Sequence, residues 1–182
     1  PSVRRVVLCE IDGMVIEAAR RFFPSLSSCL DDSRVEVVVA DGIEYVRGCR
    51  NEFDCICIDS TDPVGPAAGL FSTEFYSHVR DALTEKGAMS AQSESPAWSM
   101  EEVTSIVRNM KNAFGSVHPY IFPIPCYPSG LWSCTVCFRR DRNPVRDFDR
   151  QRAALLAKAC KYYNADIHTS CFALPNFFRQ AL

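Results

Sequence analysis

Two periodicities alternate along this chain. Short runs rich in β-branched residues read as strands: RRVVLCEID (4–12), VEVVVAD (35–41), FDCICID (53–59) and GAMSAQS (87–93). Between them, apolar residues recur at helical spacing. Residues 13–23 place Met14, Val15, Ala18, Ala19, Phe22 and Phe23 on one stripe, which predicts a helix packed in the core. A short helix is expected over 42–49. Another is expected over 72–84, with Ser72 or Thr73 as N-cap and Glu74 in the first turn. A third spans 99–114, where Ser99 and Glu102 stand at capping-box spacing. FDCICID is apolar almost throughout, which predicts burial on both faces. Strands over 116–123 and 131–138 flank PIPCYPSG, a hairpin-like connector, so they are expected to be antiparallel. A helix over 147–160 and a compact tail from Tyr162 follow.

Repeated βα units predict an α/β fold with a doubly wound, mostly parallel sheet, closed by an antiparallel C-terminal strand pair. With 182 residues the chain suits one domain, and it shows no internal repeat or low-complexity linker. Lys plus Arg number 20 and Asp plus Glu 22, so no net positive charge draws it to nucleic acid or an acidic membrane. No apolar run reaches the ~18 residues of a membrane span, and PSVRRVVLCE does not read as a signal peptide. The ten cysteines fall mostly inside strand-like runs, which suggests buried thiols in a reducing, cytoplasmic compartment rather than a disulfide scaffold. Cys134 and Cys137, with His168 and Cys171, have zinc-like spacing. Positions i and i+3 on a strand point to opposite faces, so no metal is expected. Trp98 and Trp132 read as packing residues, and His168 as a hydrogen-bonding group that orders the tail.

Ligands of open α/β sheets bind beyond the carboxyl ends of the strands. Acids collect there. The first strand ends in Glu10, the second in Asp41-Gly42, and the third in Asp59, followed by Ser60, Thr61 and Asp62; the fourth leads into Gln92 and Glu94. Tyr127 lies in the last connector. Glu10 is placed to bind a ribose, and Asp41 to accept from an adenine amino group. No glycine-rich phosphate loop is present, so an adenosylmethionine-type nucleoside fits better than a dinucleotide. Asp59 and Asp62 sit three residues apart on a loop stiffened by Pro63 and Pro66. With Glu94 they suit a diammonium ligand, and a carboxylate can take the proton of an attacking amine.

The strings CEIDGMVIEAARRFFP, DDSRVEVVVADGIEYV, FDCICIDSTDPVGPAAGLFSTEFY, AQSESP, PIPCYPSGLWS and YYNADIHTSCFALPNF resemble those of the spermidine synthases, the polyamine aminopropyltransferases. They follow the family's order over nearly the whole chain. The resemblance implies a Rossmann-like fold of the methyltransferase type. It implies transfer of an aminopropyl group from decarboxylated S-adenosylmethionine to putrescine, giving spermidine and methylthioadenosine, with no further cofactor. It assigns ribose binding to Glu10 and adenine contacts to Asp41, Gly42 and Pro66. Asp59 would be proton acceptor and diamine ligand. Ser60, Thr61, Asp62 and Tyr127 would lie on the diamine side, and Gln92 and Glu94 would form a polar wall. The 60–74 loop would be a lid that positions the reactants and excludes water. The sulfonium donor leaves as a neutral thioether, so Asp59 needs only an ionised carboxylate.

One departure stands out. The family carries an N-terminal β-domain and a glycine-rich loop before the string with which this chain begins. The parts not seen here include a central strand, further diamine ligands and much of the contact between subunits, which form a homodimer or homotetramer. Residues 1–182 are therefore expected to be a partial catalytic domain, unstable and inactive alone unless a strand comes from elsewhere. Two alternative readings remain. One is a related transferase, either spermine synthase or putrescine N-methyltransferase. The other is a non-catalytic homologue serving as an interaction subunit.

Overall fold

A computed structural model describes residues 3–182, apart from the side chain of Pro66. The chain forms two compact units, one ending at Cys49 and one beginning at Arg50. In the first unit, β1 (Val6–Glu10) leads to α1 (Gly13–Phe22) and α2 (Pro24–Ser27), then to β2 (Val35–Val39) and α3 (Gly42–Arg47). The two strands pair in parallel, from Val6 opposite Val35 to Glu10 opposite Val39. Both principal helices start on an aspartate. Asp12 accepts from the Met14 amide at 2.8 Å, and Asp41 accepts from the Ile43 amide at 2.8 Å. Each satisfies an amide that the first helical turn leaves without a partner.

The stripe on α1 departs from expectation. Ile16 is the buried side chain, whereas Met14, Val15, Phe22 and Phe23 are exposed, Met14 by 74%. Helical spacing gathered these residues on a face, but a pair of strands offers too little surface to cover it.

The second unit contains β3 (Phe53–Ile58), a 3₁₀ segment (Gly65–Phe71), α3's successor α4 (Thr73–Ala82), β4 (Leu83–Gln92), α5 (Met100–Ala113), β5 (Ser116–Pro123) and β6 (Leu131–Phe138). Three short helices follow: α6 (Arg150–Ala157), α7 (Ala165–Ser170) and α8 (Asn176–Ala181). Its sheet runs in the order β3-β4-β6-β5. β3 and β4 are parallel; β6 is antiparallel to both β4 and β5. Residues 83 and 84, expected at a helix end, instead open β4, and the first of them, Leu83, pairs with Phe53. A Cβ on Gly87 would lie 3.0 Å from the Phe53 carbonyl, so the close approach of β3 and β4 requires glycine there.

One face of this sheet is dry. Met89, Ala91, Thr135 and Cys137 are buried on it, beside Tyr76 and Val79 of α4 and Val103, Val107 and Met110 of α5. The other face is more open. Cys55 and Cys57 on β3 are exposed, so the expected two-sided burial of FDCICID does not hold. Of the ten cysteines, Cys49 and Cys137 are the buried ones; Cys29, Cys55, Cys57, Cys126 and Cys160 are exposed, and none forms a disulfide among the described residues. Apolar character in this chain marks strand propensity as much as depth. Ser99 stands at the start of α5, but its side chain makes no capping hydrogen bond, so the Ser99–Glu102 box is not formed. Trp98, read as a packing residue, is 79% exposed.

The tail docks through a small set of contacts. Phe178 is fully buried against Val103 and Val107. The Ile121 amide donates to the Cys171 carbonyl at 2.9 Å. His168 stacks on Phe148 at 4.1 Å between ring centres, and its Nε2 lies 3.0 Å from the Pro144 carbonyl. That carbonyl can only accept, so Nε2 carries the proton and the Tyr163 hydroxyl donates to Nδ1 at 3.1 Å. Phe178→Ala should empty the seat beneath α8 and lower the unfolding free energy by about 3–5 kcal/mol, read from urea denaturation.

Candidate active site

In the first unit the expected nucleoside residues lie at the carboxyl ends of two adjacent parallel strands. Glu10 closes β1 and Asp41 follows β2. The Glu10 carboxylate accepts from the Asp12 amide at 2.9 Å, and the Ala40 amide donates to the Glu10 carbonyl at 3.1 Å. These bonds fix the turn and leave one Glu10 carboxylate oxygen for a ligand. A Cβ on Gly42 would meet nothing within 4 Å, so the space beside its backbone is open. Burial pushes the Cys9 thiol up, and the charges of Asp41 and Glu10 add to the effect, which places both acids around one strand end.

In the second unit, Asp59, Ser60, Thr61 and Asp62 leave the carboxyl end of β3, and Gln92 and Glu94 leave that of the parallel neighbour β4. The connector with Tyr127 belongs to the same end, because β6 runs antiparallel to β4 and starts beside its terminus. Gly130, at φ +63°, supplies the left-handed residue that closes this turn, with its amide donating to the Tyr127 carbonyl at 2.9 Å. Tyr127 stacks on Trp132 at 4.6 Å between ring centres, and is about half exposed (47%). Asp59 and Asp62 are exposed to solvent. Pro66 falls in the 3₁₀ segment, and its side chain lies outside the described residues.

Glu94 is the unusual member. It is buried at 6% exposure and holds φ +67°, a conformation that costs a non-glycine residue about 1–2 kcal/mol. Strand β6 holds it there: the Ser133 amide and hydroxyl both donate to the Glu94 carbonyl, at 2.9 and 2.7 Å. Gln92 Nε2 donates to the Glu94 carboxylate at 3.1 Å. Burial pushes the Glu94 carboxyl above its ordinary value, Gln92 opposes that, and the charges of Asp62 and Glu102 push it further up. Cys134, whose thiol burial raises to about 11, also feels the Asp59 charge, so Asp59 lies near the open face of the sheet between β3 and β6.

Sequence reasoning missed two parts of this arrangement. Glu102 was expected to cap α5, yet it faces Glu94 as a further carboxylate. Ser93, Ser133 and Thr135 form a fully buried hydroxyl cluster, with Ser93 Oγ 3.2 Å from Ser133 Oγ and 3.0 Å from Thr135 Oγ1. The alternation of Ser133 and Thr135 in LWSCTVCF was the available signal, since polar residues at period two on a buried strand must find partners.

Parallel βα units with acids at the strand ends define a Rossmann-like α/β protein. The comparisons with known proteins are narrower. Residues 1–147 match the spermine/spermidine synthase domain, and the chain belongs to that family. It is 43% identical over 182 residues to a polyamine aminopropyltransferase of Thermotoga maritima, covering all of this chain and 61% of that protein. A polyamine aminopropyltransferase of Bacillus mycoides is 40% identical over 177 residues, 97% of this chain and 63% of its own length. A crystal structure of spermidine synthase in complex with the transition-state analogue AdoDATO superposes with a TM-score of 0.95 at 43% identity, over 100% of this chain and 62% of the other. The chain therefore spans about three-fifths of the length of these relatives.

On β3 the Cys55 and Cys57 sulfurs lie 3.9 Å apart, so one thiol can donate to the other. Iodoacetamide at neutral pH should label the exposed Cys55 and Cys57 first, and leave the buried Cys137, whose thiol burial pushes up, unlabelled until the protein unfolds. Peptide mass spectrometry over time reads this order.

Proposed function

We propose that this chain is the catalytic portion of a spermidine synthase, which transfers the aminopropyl group of decarboxylated S-adenosylmethionine to putrescine. The observation that carries the reading is the meeting of Asp62 with the buried Glu94 where β3 and β4 end. Carboxylates gathered at one strand end suit a diammonium ligand. Family membership supports the same reading.

In this proposal Glu10, Asp41, Gly42 and Pro66 bind the nucleoside, and Asp62, Glu94, Ser60, Thr61 and Tyr127 bind the diamine, with Gln92 in the wall beside them. One amine of putrescine loses its charge and attacks the methylene carbon attached to the sulfonium. The new C–N bond forms as the C–S bond breaks, and the electron pair of that bond returns to sulfur. Methylthioadenosine departs neutral, so no acid is needed for it. Asp59 takes the proton that the attacking nitrogen gives up. The sulfonium supplies the leaving group, so the reaction asks for no cofactor. Ten cysteines without disulfides suit a reducing compartment, and we place the protein in the cytoplasm. Among the described residues no helix is long and apolar enough to cross a membrane.

Asp59→Asn should lower turnover by a factor on the order of 10²–10⁴ while leaving methylthioadenosine binding nearly unchanged, since a positioned base contributes about that much. Near-normal rates would remove Asp59 from the role. Transfer with adenosylmethionine but not its decarboxylated form would identify a methyltransferase instead. The diamine should also bind less well as pH falls. Glu94 carries a proton at higher pH in the folded protein than its ordinary 4.5, and protonation removes a charge that faces the ammonium. Calorimetry with putrescine across pH should show that limb above 4.5, and Glu94→Gln should abolish it.

A further inference from the structure

We propose that Gln92 is a positioning residue that joins the Asp59–Asp62 loop to Glu94 and aims the Glu94 carboxylate, without itself contacting the diamine. The inference rests on the reading above and assigns the wall residue a specific task. Gln92 is 8% exposed, at the last position of β4. Its amide is committed internally. Nε2 donates to the Ser60 carbonyl at 3.3 Å and to Glu94 Oε1 at 3.1 Å, while Oε1 accepts from the Glu94 amide at 3.0 Å. Both N–H groups of the side chain are therefore in use. The orientation is also dictated. A flipped amide would set its NH₂ against the Glu94 N–H and its oxygen against two acceptors.

The three bonds link elements that the strands alone do not connect. Ser60 follows β3, Glu94 follows β4, and Gln92 spans them at the point where their pairing stops. Ser133 holds the Glu94 carbonyl from the β6 side, and Gln92 holds the Glu94 amide and carboxylate from the other. The left-handed backbone of Glu94 is thus clamped at both ends, and its side chain has little freedom to turn away. Two other charged groups act on this carboxylate, Asp62 from the loop and Glu102 from α5. Both are negative. Gln92 is the donor that favours the ionised form against them and against burial.

Removing that donor should move the titration of Glu94 rather than delete a substrate contact. In Gln92→Leu, the Glu94 carboxyl resonance should titrate at higher pH than in the unaltered protein, read by NMR of ¹³C-labelled glutamate. Putrescine affinity should fall on the order of tenfold at a pH within the Glu94 titration seen by NMR, as for loss of one hydrogen bond to a buried charge. Most of that loss should disappear at a pH above the titration seen in both proteins. A loss of the same size at both pH values would mean that Gln92 touches the diamine, and would overturn the proposal. An unchanged Glu94 titration in a folded variant would overturn it as well. Should Gln92→Leu not fold, hydrogen exchange of the Gln92 side-chain amide in the unaltered protein decides: slow exchange is expected, and exchange at the rate of an exposed amide refutes the clamp. Failure of putrescine to bind the unaltered protein would count against the diamine reading, and the NMR titration would still test the link from Gln92 to Glu94.

Discussion

Burial of one carboxylate among others is the constraint on which the second unit turns. Two like charges about 4 Å apart repel by about 4 kcal/mol at an effective dielectric of 20, and a hydrogen bond to a charged group returns only about 1.5–3 kcal/mol. A single donor from Gln92 therefore cannot offset the burial of Glu94 together with its neighbours Asp62 and Glu102. Glu94 answers by holding its proton more tightly, which is the direction of its shift. A carboxyl raised in the folded state also makes the protein less stable as pH rises from the ordinary value through the folded one. A cation bound at this strand end would relieve both effects, and the left-handed backbone of Glu94, at φ +67°, holds the carboxyl there.

Much of this was legible in the chain. Ser72 marks a helix start by its position before an amphipathic run, and it does cap its helix. Strand and helix order followed from the change of period, and the acids at the strand ends followed from order alone. The depth of each element did not. A stripe such as Met14–Phe22 states which residues share a side, not what lies over it, and β3 shows the same gap between apolar composition and burial. The Gln92–Glu94 clamp was out of reach for another reason. It depends on a left-handed non-glycine residue, and nothing local in AQSESP favours that conformation over an extended one. It exists because Ser133, some forty residues away in sequence, supplies two donors to one carbonyl.

The cysteines carry the same lesson in another form. Cys55 and Cys57 share one face of β3, where both are exposed, and Asp59, just past the end of the strand, is exposed as well. Cys134 on β6 feels both Cys57 and Asp59, and burial keeps its thiol protonated. A neutral Cys134 adds no charge beside Asp59. At Cys134 the thiol is a small, mildly polar filler.

The acids of the second unit differ in how they are held, and the difference matches the work each would do in aminopropyl transfer. Glu94 is fixed by backbone strain, a side-chain donor and burial, as suits a group that binds a charge and should not move with it. Asp59 is exposed, and no hydrogen-bond donor among the described residues holds its carboxylate. A base must accept a proton and then lose it to solvent, so a carboxylate tied by several donors would be too weak a base and too slow to reset. An anchored binder and an unanchored base would be opposite solutions to opposite requirements, built at the ends of two neighbouring parallel strands.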